Sequence, residues 1–124
     1  MTAINSWENS TTIIVIWESP LTSDDVENCF LDIVKKLDEG QGKINILFKL
    51  NPSGGIPVNS PHLALKSGFM THPKSGKVVV IGMGKLAQHL AGIATKLTGK
   101  EISFHPTEIE ARDYIYQSLI TGAT

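Results

Sequence analysis

The sequence predicts an α/β fold, a single domain over residues 1–124 with about five mostly parallel strands and about four helices. Three observations lead there. Residues 77–118, KVVVIGMGKLAQHLAGIATKLTGKEISFHPTEIEARDYIYQS, read without a gap as strand, helix, strand, helix. The segments TIIVIW, INILFKL and KVVVI are nearly continuous apolar runs, the pattern of strands covered on both faces. Such strands pair in parallel through crossover helices, because no tight turn reaches a parallel neighbour. Finally, 124 residues that are 41% hydrophobic and 19% charged have the size and composition of one globular core.

Residues 3–8 form a weaker strand, and Asn9 and Ser10 turn the chain into the strand TIIVIW at 12–17, so the first strand runs antiparallel to the second. Thr22 or Ser23 then caps a first helix. Asp24, Asp25 and Glu27 lie near its positive end, Lys35 and Lys36 near its negative end, and Gly40 stops it. Val26, Cys29, Phe30, Ile33, Val34 and Leu37 recur at helical spacing and mark the face that lies on the sheet. The strand INILFKL at 44–50 leads into NPSGGIPVN at 51–59, whose Pro and Gly residues forbid regular structure. Ser60 as a cap and Pro61 in the first turn open a short second helix running to Met70, with Gly68 weakening its end and residues 71–76 as a turn. After the strand at 77–81, Leu86, Leu90, Ile93, Ala94 and Leu97 stripe a third helix that ends at Gly99. The last strand is 102–104. Thr107 and Glu110 have the spacing of a capping box, and the final helix is expected to turn Ile109, Ala111, Ile115 and Leu119 inward.

Charge and composition narrow the function. Lys and Arg number 11 against 12 Asp and Glu, a formal charge of -1, and no basic run follows a phosphate backbone, so nucleic acid is not an expected partner. Trp7, Trp17, Tyr114 and Tyr116 are dispersed, unlike the stacking platforms that hold single strands. Cys29, the only cysteine, reads as a small buried side chain in a reducing compartment. The opening MTAINSWENS lacks a basic start before an apolar run, and no apolar stretch approaches the ~20 residues that span a bilayer. A cytoplasmic location without a membrane span is the expectation. His62, His72, His89 and His105 share no ligand-like spacing and meet no second thiolate, so no metal is expected. No Gly-x-Ser-x-Gly elbow occurs, and Asp24, Asp25 and Glu27 read as partners of a helix dipole, so no catalytic residue is assigned.

The segment Gly82-Met83-Gly84-Lys85-Leu86-Ala87 follows a strand, opens a helix and fits G-x-G-x-x-G/A. In that fingerprint the glycines let backbone approach a pyrophosphate, and an acid at the end of the next strand holds a ribose. Here the next strand ends in His105 and Pro106. Gly82 and Gly84 are therefore a candidate anion-binding turn whose plainer role is a tight strand-to-helix corner, and no cofactor is expected. Ile56, Phe69, Met70 and Met83 are candidates to line an adaptable apolar pocket under the 51–70 segment, filling the core being their plainer role.

Leu21 and Thr22 with Asp25 open the first helix, Val78-Val79-Val80-Ile81-Gly82 form a strand and its exit, and Ile102-Ser103-Phe104 lead to Glu108, Glu110, Ala111 and Arg112. With the short second helix after a Gly/Pro loop, this pattern, from about residue 10 to 118, resembles the SpoIIAA-like proteins of the STAS-like superfamily. The resemblance implies a STAS/SpoIIAA-like sandwich acting as a non-enzymatic, cytoplasmic regulatory or binding module. Its partner would be a regulatory protein or, in the alternative, a small lipophilic ligand carried under a mobile lid at 51–70. In the sporulation regulators of the wider superfamily, a phosphoacceptor Ser stands beside an Asp at the start of the second helix. Asn59 and Ser60 occupy the comparable place and form the candidate regulatory or partner-binding pair, with Asn in place of the acid and Pro61 following. A phosphate on Ser60 would meet free N–H groups at the positive end of a helix, whereas its plainer role is a cap.

Overall fold

In the computed structural model, which describes residues 2–9, 11–18, 21–50, 57–82 and 85–121, strands and helices alternate after an opening hairpin. The order is β1 (Thr2–Asn9), β2 (Thr12–Glu18), α1 (Ser23–Glu39), β3 (Ile44–Leu50), α2 (Ser60–Ser67), β4 (Ser75–Ile81), α3 (Lys85–Thr98), β5 (Ile102–His105) and α4 (Glu108–Thr121). The strands lie side by side in chain order, with β1 antiparallel to β2 and the rest parallel. The α/β class, the five mostly parallel strands, the four helices and the antiparallel opening pair are as the sequence predicts. Ser10 and residues 51–56, expected as turn and loop, lie outside the described residues.

The layering follows from chirality. Crossovers between parallel strands are right-handed as a rule, and three successive ones stepping in the same direction put their helices on one face, where α1, α2 and α3 share a core. Facing them are Ile13, Val15 and Trp17 of β2, Ile46 and Phe48 of β3, Val78 and Val80 of β4, and Ile102 of β5. Val26, Cys29, Phe30, Ile33 and Leu37 of α1 close over the β2 and β3 part, as their spacing predicts. The alternate residues Ile14, Leu47 and Val79 point to the other face, where Ala111, Tyr114 and Ile115 of α4 meet them.

Several boundaries move for local reasons. Thr22, not Ser23, caps α1, and it does so reciprocally: its hydroxyl accepts from Asp25 N–H at 3.1 Å while its own N–H donates to Asp25 Oδ2 at 2.9 Å. β4 begins at Ser75 rather than at 77 because a bulge sets Ser75 opposite Ile44 and Val78 opposite Ile46. Asn45 Oδ1 accepts the Lys77 N–H at 2.8 Å, which satisfies the donor that the bulge displaces. α2 ends at Ser67, not at 70. There the Ser67 hydroxyl donates to the Ala64 carbonyl and accepts from Phe69 N–H, and Gly68 takes a left-handed conformation. Asn59 is the N-cap of that helix and Ser60 its first residue, so the cap falls one position before the Ser60 expected.

Two expected inward positions point out. Ile109 is 83% exposed, because α4 is phased by Ala111 and Ile115, and a residue two before Ala111 falls on the opposite side of the helix. Leu97 of α3 is exposed while Leu90 and Ala94 are buried. The side chains of Leu86 and Leu119 are outside the description. Among the described residues, no helix is long and apolar enough to cross a membrane.

Candidate functional site

Between the sheet and α2 and α3 the core is hollow. The cavity measures about 80 Å³ and is partly open to solvent. Its sheet wall is Phe48, Leu50, Val78, Val80 and Ile102, with Trp17 and Phe30 at one end. Pro61 and Ala64 of α2 and Leu90, Ala91 and Ala94 of α3 form the roof, and Phe69 and Met70 close the side. The void has a simple origin. Both helices turn alanines toward the sheet, while their larger neighbours Leu65 and Leu97 point out to solvent. Fully enclosed, a void of this size would cost roughly 2 kcal/mol at ~24 cal/mol per Å³, and its opening to solvent makes that an upper bound.

Local chemistry puts each lining group in place. The Ser67 hydroxyl and Gly68 end α2 sharply, so the chain doubles inward and buries Phe69 to 2% and Met70 to 1% exposure. Phe69 stacks on Phe30 with centroids 4.7 Å apart, and Phe48 meets Trp17 edge-on at 5.5 Å. The indole N–H of Trp17 donates to Cys29 Sγ at 3.3 Å, so the lone cysteine is buried and serves as an acceptor. Among the described lining residues, whose accessible surface is almost wholly apolar, Ser60 is the one with a hydroxyl. It is 7% exposed, and its hydroxyl donates to the Pro57 carbonyl at 2.6 Å. Water is poorly held in such a space, since a buried water needs two or more polar partners.

α2 is tied to α1 at its outer rim. Ser23 Oγ donates to Asn59 Oδ1 at 2.9 Å, and Lys66 Nζ to Glu27 Oε2 at 3.1 Å. Asn59 makes no side-chain cap bond to its own helix, so its amide is committed to α1. Of the expected pocket residues, Phe69 and Met70 line the cavity, whereas Ile56 and Met83 lie outside the described residues. Trp17, Phe30, Phe48, Ala91 and Ala94 line it without having been singled out. Nothing in their periodicity separates a side chain facing a void from one facing a neighbour.

The Gly82 corner has a steric explanation. Gly82 has φ +80°, and a Cβ placed there would stand 2.5 Å from the Leu50 carbonyl oxygen. Gly84 lies outside the described residues. The strand order is monotonic, so the sheet has no point of reversal, which is where open α/β sheets seat dinucleotides.

On the other face, Glu108 joins α4 to the sheet. It accepts from Lys49 at 2.9 Å and from Arg112 at 2.7 Å, and these hydrogen bonds, Lys49 first, hold its carboxyl below the usual carboxylate range. Of the histidines, His62 and His89 are exposed, and His105 packs its half-buried ring on Tyr114 at 5.1 Å. His72 Nδ1 accepts from Lys74 N–H at 3.0 Å, so the proton sits on Nε2, which donates to Asp38 at 2.7 Å. Among the described residues, no three His, Cys, Asp or Glu side chains gather as metal ligands do. Lys100 donates to the Ser75 carbonyl at 3.0 Å, and burial, with Lys43 and Lys77 nearby, pushes its pKa down.

Comparisons of the chain with protein-family models, with curated proteins and with solved structures find no match.

Proposed function

We propose that this chain is a non-enzymatic binding module that takes a small apolar ligand into the cavity beneath α2 and α3. One observation carries the reading. Among the described residues, large side chains surround a space over which α2 and α3 place alanines, and a ligand that filled it would add stability on binding. A ring would enter only in part and reach out through the open side, since the cavity of about 80 Å³ is roughly half the ~150 Å³ that accommodates benzene. α2 acts as the lid. It covers the cavity with only Ser60, Pro61 and Ala64 buried, and its ties to α1 are exposed polar contacts. The resemblance to the SpoIIAA-like group supports the same reading through its lipophilic-ligand alternative. Docking of a regulatory protein, the other expectation, would rely on the exposed Val58 and Asn59, because Ser60 keeps its hydroxyl inside.

Titration of fluorobenzene followed by ¹⁹F NMR tests the proposal. Saturable binding is expected to the wild-type protein and none to Ala94→Leu, whose added methyl groups fill the space, with the circular dichroism of the two proteins alike. Equal binding by both proteins would place the ligand elsewhere and sink the assignment.

A further inference from the structure

We infer that Lys100 is an acylation site, taking an acyl group from an acyl phosphate whose phosphate is drawn in by the neighbouring Lys43 and Lys77. The site is independent of the cavity. Ser75 lies opposite Ile44 and Val78 opposite Ile102, so Lys43, Lys77 and Lys100 fall within a few residues of the same end of β3, β4 and β5. Adjacent strands stand ~4.8 Å apart, which gathers the three cations along a short edge. Lys100 is held at both ends. Its backbone N–H donates to Thr98 Oγ1 at 3.2 Å, just after Gly99 has turned the chain in a left-handed conformation, and its Nζ donates to the Ser75 carbonyl at 3.0 Å. The residue is thus half-buried, with its amine fixed beside β4.

Lys36, Lys49 and Lys66 each meet a carboxylate, whereas the charges that act on Lys100 are cations. Burial first, then Lys43 and Lys77, favour its neutral amine, which is the nucleophilic form. Glu101, the adjacent carboxylate, is exposed. The hydrogen bond to Ser75 survives the reaction. A neutral amine keeps one N–H on the carbonyl and turns its lone pair to the acyl carbon. The N–C bond forms as the bond from the acyl carbon to the phosphate oxygen breaks, and the departing phosphate takes the second amine proton. The amide N–H that remains still donates to Ser75. Negative charge grows on the leaving phosphate, where Lys43 and Lys77 offset it, so an acyl donor with an uncharged leaving group would gain less from this edge.

The test incubates the full chain with acetyl phosphate, cleaves it at glutamate and follows acetylation of each lysine over time by mass spectrometry. Lys100 is expected to be acetylated several-fold faster than Lys35 and Lys96, which are exposed on α1 and α3. In the Lys43→Met, Lys77→Met double variant the rate at Lys100 should fall several-fold with acetyl phosphate and by less with N-acetylimidazole, a donor without a phosphate. Equal rates at Lys100, Lys35 and Lys96 in the wild-type protein would overturn the assignment without recourse to any variant. An unchanged rate in the double variant, or an equal fall with both donors, would overturn the role given to Lys43 and Lys77 in drawing in the phosphate.

Discussion

On one face of the sheet three helices cover a large core with a cavity in it, and on the other a single helix covers a smaller core that buries Ala111 completely. The difference lies in what the helices present. α2 and α3 turn Ala64, Ala91 and Ala94 toward the β3–β5 surface, where they line the cavity. α4 turns Ala111, wholly buried, and Ile115 onto Ile14, Leu47 and Val79, and there the same residue type lets the helix approach closely. An alanine thus means close packing on one side and vacancy on the other. The second face also ties its helix to the sheet through Lys49, Glu108 and Arg112, whereas the polar ties of α2 run to α1, a neighbouring helix, through Lys66 and Glu27.

The harshest way to break this arrangement is at the corner where β4 leaves the sheet. Gly82→Val is expected to cost about 3 kcal/mol or more, since a β-branched residue is strained at φ +80° and its Cβ would run into the Leu50 carbonyl. A melting temperature within a degree or two of wild type would show that the turn does not depend on glycine.

One substitution made on both faces sharpens the contrast most directly. Ala94→Leu fills existing space and is expected to raise stability by up to roughly 2 kcal/mol. Ala111→Leu forces extra volume into a closed contact and should lower it by about 1–3 kcal/mol. Urea denaturation of the two variants checks the pair, and the same sign in both would mean that the faces are packed alike.

A smaller effect comes from the Glu108 network. The folded-state pKa of Glu108 is lowered, so its contribution is fully present above the ordinary carboxylate pKa and is lost as pH falls through the lower folded value. Because the carboxylate is well exposed, the contribution is expected to stay below about 1 kcal/mol. Glu108→Gln should therefore destabilise slightly at pH 7 and match wild type at the acid end. A constant difference across the whole range would assign the loss to packing of α4 instead.

The sheet was legible in the sequence because three apolar runs and a gap-free strand-helix-strand-helix segment leave few alternatives. Phe69 and Met70 were legible as pocket candidates from their position at the end of the short second helix, which was expected to run to Met70. The vacancy itself was not. Trp17, Phe30 and Phe48 carry the spacing of any core residue, and Ala91 and Ala94 are unremarkable in a helix; only their meeting across the fold leaves a void. In α4, Ala111 and Ile115 were read correctly and Ile109 was not, because Ile109, Tyr114, Ile115 and Tyr116 are spread around the helix without one dominant apolar stripe, and the partners that set its phase, Ile14, Leu47 and Val79, are distant in the chain. The bulge at Asn45 was equally hidden, since an asparagine inside an apolar strand does not reveal that its side chain will satisfy a neighbouring strand.

The mildest intervention concerns the lid. The Glu27–Lys66 pair is exposed on the lysine side, so its removal should change global stability by no more than about 0.5 kcal/mol. If α2 opens to admit ligand, that small amount acts on the open state alone, because the pair joins α2 to α1 only when the lid is down. The open population would rise about two-fold, and association and dissociation of fluorobenzene would both quicken by the same factor, leaving affinity nearly constant. Salt should do the same to the wild-type protein by screening the pair, and should do little to a Glu27→Gln, Lys66→Met double variant. ¹⁹F line-shape analysis over a salt series reads both rates. Exchange that is indifferent to salt and to the double variant would put the mouth of the cavity away from the α1–α2 seam and leave α2 a fixed part of the wall.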